Sequence, residues 1–270
     1  MVCIPIIILY SLGYAIDSTT LGLTSRGGVY VLVTEPGITI YIGDDVEETT
    51  GIFNKEVFVK DLKPKDYLVV AGGEDFWPWA KIVNVKEGGV SALYPLLVHK
   101  TLSFKEILKT DNSYPDVLEL FSTEPKTTSP SPVTKIATST NLSPASSTIL
   151  AKAECISKNR MKIWKEGNQV FATWLGSVER LPQYFCNSEG ECTDTIVVFE
   201  SATPIGRMNF YPDRDDAIML ILDRGIYVME IDVRQYHNFY PIYKGNNPDF
   251  RIDGNLVYIE DEASIFSVEL

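Results

Sequence analysis

Between residues 27 and 99 the apolar side chains return at every second position in short runs: Val29, Val31 and Val33; Ile38, Ile40 and Ile42; Val57 and Val59; Leu68 and Val70; Val83 and Val85. A period of two places each run on one face of an extended chain, so these runs read as strands with one buried face. Turn formers separate them: Pro36-Gly37 after the first, Gly43-Asp44 after the second, and Lys63-Pro64-Lys65-Asp66 before Leu68. The pattern predicts a small antiparallel β-sandwich of six or seven strands over residues 27–100.

Upstream lies MVCIPIIILYSLGYAI, which carries no charge. An upright spanning helix needs ~20 apolar residues, and this run is about one turn short. It lacks the basic start of a signal peptide. Residues 1–17 are therefore expected to be the C-terminal part of a transmembrane helix, making the protein single-pass in the cytoplasmic membrane with its bulk extracytoplasmic. A buried strand or helix of a soluble fold is the alternative, because short apolar runs do not separate the two by periodicity.

Three stretches of residues 27–98 carry a family resemblance: GGVYVLVTEPGITIYI, then Leu62, Pro64 and Tyr67, then DFWPWAKIVNV. Together they resemble the PEGA domain, a small β-sandwich of bacterial and archaeal surface proteins. The chain departs from that pattern at Ile38, where the family has alanine, at Lys65, where it has a turn glycine, and at Asp75, where a glycine precedes the aromatic. The resemblance implies a β-sandwich in an envelope protein and brings no catalytic residues with it.

Residues 101–121, TLSFKEILKTDNSYPDVLELF, hold the one stretch with helical character, which Pro115 interrupts, and the segment reads equally as a connecting arm. Residues 122–150 are dominated by serine, threonine and proline and contain no aromatic, so they bury too little apolar area to offset their ordering entropy and read as a linker. Asn141-Leu142-Ser143 within it fits a glycosylation sequon. Beyond the linker, EGNQVFATWLG, IMLILDRGIYVMEID and DGNLVYIEDEA repeat a strand, polar turn, strand form at intervals of roughly 40 residues, the period of a propeller blade. Residues 151–270 are expected to form two or three antiparallel β-meanders, similar to part of a β-propeller. A propeller typically needs ~4 blades to remove its open edges. A reduced propeller, an edge covered by a partner, and an ordinary sandwich all fit.

The formal charge of −12 would repel phosphates, which excludes nucleic acid as the main partner. Cys186 and Cys192 bracket a polar glycine-containing loop, and their spacing favours a disulfide. Only His99 and His237 are present, neither at ligand spacing from cysteine, so no metal or other cofactor is expected. Asp213, Asp215 and Asp216 lack the glycine and distal carboxylate of a calcium loop and read as a turn. Glu230 and Asp232 share a strand face, the one arrangement that suits glycan hydrolysis. No nucleophile elbow or phosphate loop occurs in the sequence.

Two segments stand out as binding candidates. In DFWPW, alternation would put Trp77 and Trp79 on one strand face and Phe76 on the other, with Pro78 favouring an edge strand. In IDVRQYHNFYPIYK, the residues Arg234, Tyr236, His237, Asn238, Tyr240, Tyr243 and Lys244 lie in a long connection rich in aromatics and amides. The sequence thus points to a non-enzymatic, membrane-anchored envelope protein whose partner is a cell-envelope glycan or an envelope protein, its oligomeric state left open. The rivals are a protein-binding ectodomain of a sensor or secretion assembly, and a glycan-processing enzyme.

Overall fold

The computed structural model of the chain describes residues 14–16, 23–44, 46–122, 155–187 and 190–270. It is all-β, and it divides into two compact units: residues 1–103 with 233–240 and 270, and residues 104–232 with 241–269. Most of the expected anchor, and the linker beyond Ser122, lie outside the described residues. The end of the anchor segment is not helical. Tyr14–Ile16 forms β1 and pairs antiparallel with β2, Leu23–Ser25, Tyr14 facing Ser25 and Ile16 facing Leu23. Their backbone is bonded across to another strand, which corrects the transmembrane helix at these residues. No helix among the described residues is long and apolar enough to cross a membrane.

The first unit continues with β3 (Gly27–Leu32), β4 (Thr39–Ile42), β5 (Val46–Thr49), β6 (Glu56–Leu62), β7 (Lys65–Gly72), β8 (Trp79–Val85) and β9 (Val90–Leu93). They form two sheets, β6-β3-β9 and β5-β4-β7-β8. Val29, Val31, Ile38 and Ile40 meet in the core fully buried, but β7 turns the opposite face inward from the one expected: Val69 and Ala71 are buried, while Leu68 is exposed and Val70 half-buried. Each larger buried side chain contributes about 1.5–3 kcal/mol by leaving water. Two further details depart from the sequence pattern. β9 runs parallel to β3, because the Lys86–Gly89 turn carries the chain from one sheet to the other, with Gly28 N–H donating to Gly89 O at 2.9 Å. Lys81 is also buried, at 1% exposure, on the face it shares with Trp79 and Val83.

The second unit holds β10 (Lys105–Ile107), α1 (Tyr114–Ser122), β11 (Cys155–Lys158), β12 (Met161–Glu166), β13 (Gln169–Trp174), β14 (Thr195–Glu200), β15 (Ile205–Phe210), β16 (Ala217–Leu222), β17 (Gly225–Glu230), β18 (Phe239–Lys244), β19 (Pro248–Asp253), β20 (Leu256–Asp261) and β21 (Ser264–Glu269). The first two residues of β18 fall in the first unit. The strands build three four-stranded sheets, β11-β12-β13-β14, β15-β16-β17-β18 and β10-β21-β20-β19. Tight two-residue loops join many neighbours, closed by pairs such as Glu166 with Gln169, Leu222 with Gly225 and Asp253 with Leu256. The first loop residues Gly167, Asp223 and Gly254 have φ of 58°, 48° and 57°, the left-handed conformation whose twist matches that of paired strands.

The segment 101–121 is not an extended arm. β10 completes the last sheet, with Lys105 opposite Ser267 and Ile107 opposite Ile265. Pro115 starts α1 rather than breaking it: in the first turn its missing N–H has no helical partner to lose. Val117 then packs with Ile107 and Ile265, flanked by Tyr114, Phe121 and Tyr258.

Candidate binding surface

The two binding candidates, about 160 residues apart in sequence, meet in the first unit. β8 is the edge strand of its sheet, and among the described residues no strand pairs with its outer edge. The segment 235–240 lies along that edge. Ile82 N–H donates to Gln235 O at 2.8 Å. Ala80 is held by the side chain of Asn238, whose Oδ1 accepts from Ala80 N–H at 3.1 Å while its Nδ2 donates to Ala80 O at 3.0 Å. A carboxamide here takes the place of a peptide group on a neighbouring strand. The hydroxyl of Tyr240 lies 3.0 Å from Pro78 O and 2.9 Å from Asn238 Oδ1, its single proton serving one or the other. Asn84 O accepts from Ser91 Oγ at 3.2 Å, so the outward positions 80, 82 and 84 are all engaged. This covering blunts an edge that would otherwise template strand addition.

The aromatic residues divide by depth. Trp79 is 2% exposed and belongs to the core, so it is not a surface candidate. Phe76 is buried too and tilts against His99, ring centroids 4.1 Å apart. Strict alternation fails because regular pairing starts only at Trp79, after Pro78. Trp77 is half-buried and lies nearly parallel to Tyr240, at 6.4 Å and 15°. Its buried indole Nε1–H meets no acceptor among the described residues. Tyr240 is buried, Arg234 half-buried, and Tyr236 and His237 exposed. Asn238 belongs to the stretch picked out in the sequence, but it is 5% exposed and holds a backbone 158 positions away, a role that nothing local marks.

Tyr243 does not join this surface. It lies in the second unit, where its hydroxyl donates to Asp261 Oδ2 at 3.0 Å. Asp261 also accepts the backbone N–H groups of Asn246 and of Asn247, the latter at 2.8 Å. Gly245 completes the arrangement, since a Cβ there would stand 2.0 Å from Asp261 Oδ2. Burial pushes the Tyr243 phenol up to about 12, with the hydrogen bond to Asp261 adding to it. Burial alone would raise Asp261, but the N–H groups of Asn247 and Asn246 and the Tyr243 hydroxyl outweigh it and hold the carboxyl below its usual range. A depressed folded pKa stabilises above the unfolded value, about 3.9, and that contribution is lost as the pH falls through the folded one. Asp261→Asn is therefore expected to destabilise more at pH 7 than at pH 2.5, read from urea midpoints; equal losses at both would contradict this account.

No protein-family model matches this chain, and neither does any curated protein.

The acidic residues of the second unit serve its turns. Asp213 takes a left-handed φ of 55°, Asp215 accepts from Asn159 Nδ2 at 2.9 Å, and Asp216 receives both Nε and Nη2 of Arg214 at 2.7 and 2.8 Å. No group of metal-competent side chains occurs among the described residues. Glu230 ends β17 at 5% exposure and Asp232 lies past the strand, half-buried, so the two do not share a strand face as the sequence suggests. Burial pushes the nearby Tyr184 phenol well above its usual range, and the carboxylates of Asp216, Asp232, Asp215 and Glu230 push the same way. Cys186 and Cys192 are joined by a disulfide, S–S 2.06 Å, while Cys155 is a free, half-buried thiol.

Proposed function

We propose that this chain is a non-catalytic binding or scaffold protein of the bacterial cell envelope, held at the cytoplasmic membrane through its apolar N-terminus with its bulk outside. In this reading the first unit is a PEGA-like sandwich and the second a propeller-like array of β-meanders. The observation that carries it is the convergence of the Phe76–Trp79 segment and residues 234–240 on one sheet edge. There Trp77, Tyr236 and His237 form an amphipathic surface on a rigid support. Flat rings backed by fixed hydrogen bonds suit the faces of sugar rings, because little side-chain entropy is lost on contact. The Cys186 to Cys192 disulfide supports an oxidising compartment.

The test is co-sedimentation of the full chain with purified cell-wall glycan, beside a Tyr236→Ala, His237→Ala variant. Both side chains are exposed, so the fold should tolerate their loss. Binding by the wild type and a roughly tenfold weaker variant are expected, about 1.4 kcal/mol. A wild type that stays in the supernatant would end the glycan reading.

A further inference from the structure

The turn between β5 and β6 carries two large apolar side chains where turn chemistry calls for asparagine, aspartate or glycine. Gly51 N–H donates to Asn54 O at 2.9 Å, which leaves Ile52 and Phe53 at the tip. Ile52 is 75% exposed and Phe53 101%. Two-residue tips normally hold residues that ease the turn, and neither Ile52 nor Phe53 does so. Nor do they add buried area to the unit that carries them. Adjacent, largely solvated apolar side chains at a loop tip point to a contact site.

The surroundings select the kind of partner. The tip adjoins the Thr34–Ile38 turn, since Gly37 N–H donates to Thr50 O at 2.9 Å and Thr50 Oγ1 reaches Glu35 O at 3.2 Å. The Gly73–Asp75 loop is close by, a Cβ at Gly73 falling 3.4 Å from Gly37 O. Glu35, Glu48, Glu74 and Asp75 lie on the segments that carry or adjoin the tip. Lys55 Nζ donates to Thr34 O and Lys100 Nζ to Glu74 O, the latter at 2.7 Å; both ammonium groups keep their charge, and the carboxylates on these segments outnumber them. An apolar tip at an end of net negative charge repels anionic lipid and complements an apolar socket rimmed by lysine or arginine.

We infer that Ile52 and Phe53 form a plug that enters an apolar, cation-rimmed socket on a second protein. This contact is separate from the β8 surface and does not depend on glycan binding. The test places the photo-cross-linker p-benzoylphenylalanine at position 53 of the full chain in cells that make it. The expected result is one protein adduct, with the cross-linked peptide lying in an apolar pocket bordered by basic residues. Ile52→Ser should weaken the purified pair roughly 30-fold, the equivalent of burying one such side chain. Glu48→Lys with Glu74→Lys should weaken it further at low salt and converge with the wild type at high salt. Tyr236→Ala should leave the adduct unchanged, which separates this site from the glycan surface. Adducts to lipid alone, to a second copy alone, or to nothing would overturn the plug. So would an adduct unmoved by Ile52→Ser.

Discussion

Asn238→Leu should destabilise the first unit by about 3 kcal/mol, the largest effect expected from any single polar side chain of that unit. Leucine matches the volume but removes both hydrogen bonds to Ala80 and deprives the Tyr240 hydroxyl of a neighbour. The cost is not the net value of two hydrogen bonds, about 1 kcal/mol each, but the desolvation of an N–H and a C=O left without partners, about 1–3 kcal/mol apiece. Asn238→Asp keeps the acceptor for Ala80 N–H and loses the donor, so it should fall between wild type and leucine. Urea midpoints give the magnitude, and amide exchange at Ala80 locates it. The exposed neighbour change Tyr236→Ala should stay within about 0.5 kcal/mol. A loss below about 1 kcal/mol for Asn238→Leu would mean that water replaces the carboxamide at no cost.

Much of the sandwich was legible because its information is local. Val29, Val31, Ile38 and Ile40 alternate, and all four are fully buried. Hairpins of the second unit were legible for the same reason: their loops carry their own signature, as at Asp223 and Gly254. Pairings between distant residues were not. Nothing near Lys105 announces that it will lie opposite Ser267, and nothing near Val90 announces a parallel neighbour in β3. Pro115 was misread because proline has opposite meanings inside a helix and in its first turn, and only the position of the start decides between them.

The binding candidates show the same division. Composition alone marked residues 234–240 as unusual, and the edge proline Pro78 pointed to β8. Neither could say that one covers the other. That covering turns part of the nominated aromatic set inward, leaving Tyr236 and His237 facing solvent. A segment rich in amides and aromatics thus serves two ends: its amide completes a backbone ladder and its rings remain beside the resulting surface.

Arg251→Met is expected to cost the second unit about 2–3 kcal/mol, because one guanidinium there closes two separate accounts of unsatisfied polarity. The last carbonyls of a helix have no partners within it, and α1 carries no basic residue in its own last turn. Arg251, arriving from β19, supplies them: Nε donates to Leu120 O at 2.8 Å and Nη2 to Phe121 O at 3.3 Å, with the guanidinium 4.8 Å from the Phe121 ring centroid. A cation at a helix C-terminus is also favoured by the helix dipole. Its Nη1 meanwhile donates to Asp249 Oδ2 at 2.7 Å, and Asp249 receives Arg207 Nε at 2.8 Å on its other oxygen. Asp249 is about a third exposed, so its share is discounted for solvent and most of the cost belongs to the helix end. Burial would raise the Asp249 carboxyl, yet the two arginines hold it below its usual range. Its contribution is present above about pH 3.9 and lost as the pH falls through the depressed value. Acid should therefore narrow the gap between Arg251→Met and wild type without closing it, since the carbonyl contacts do not titrate. Arg251→Lys should recover only part, because an ammonium lacks the fork that reaches carbonyl and carboxylate together. If lysine restores full stability, the pairing with Asp249 is a simple charge effect and the capping of α1 carries little; if acid abolishes the gap, the helix end contributes nothing.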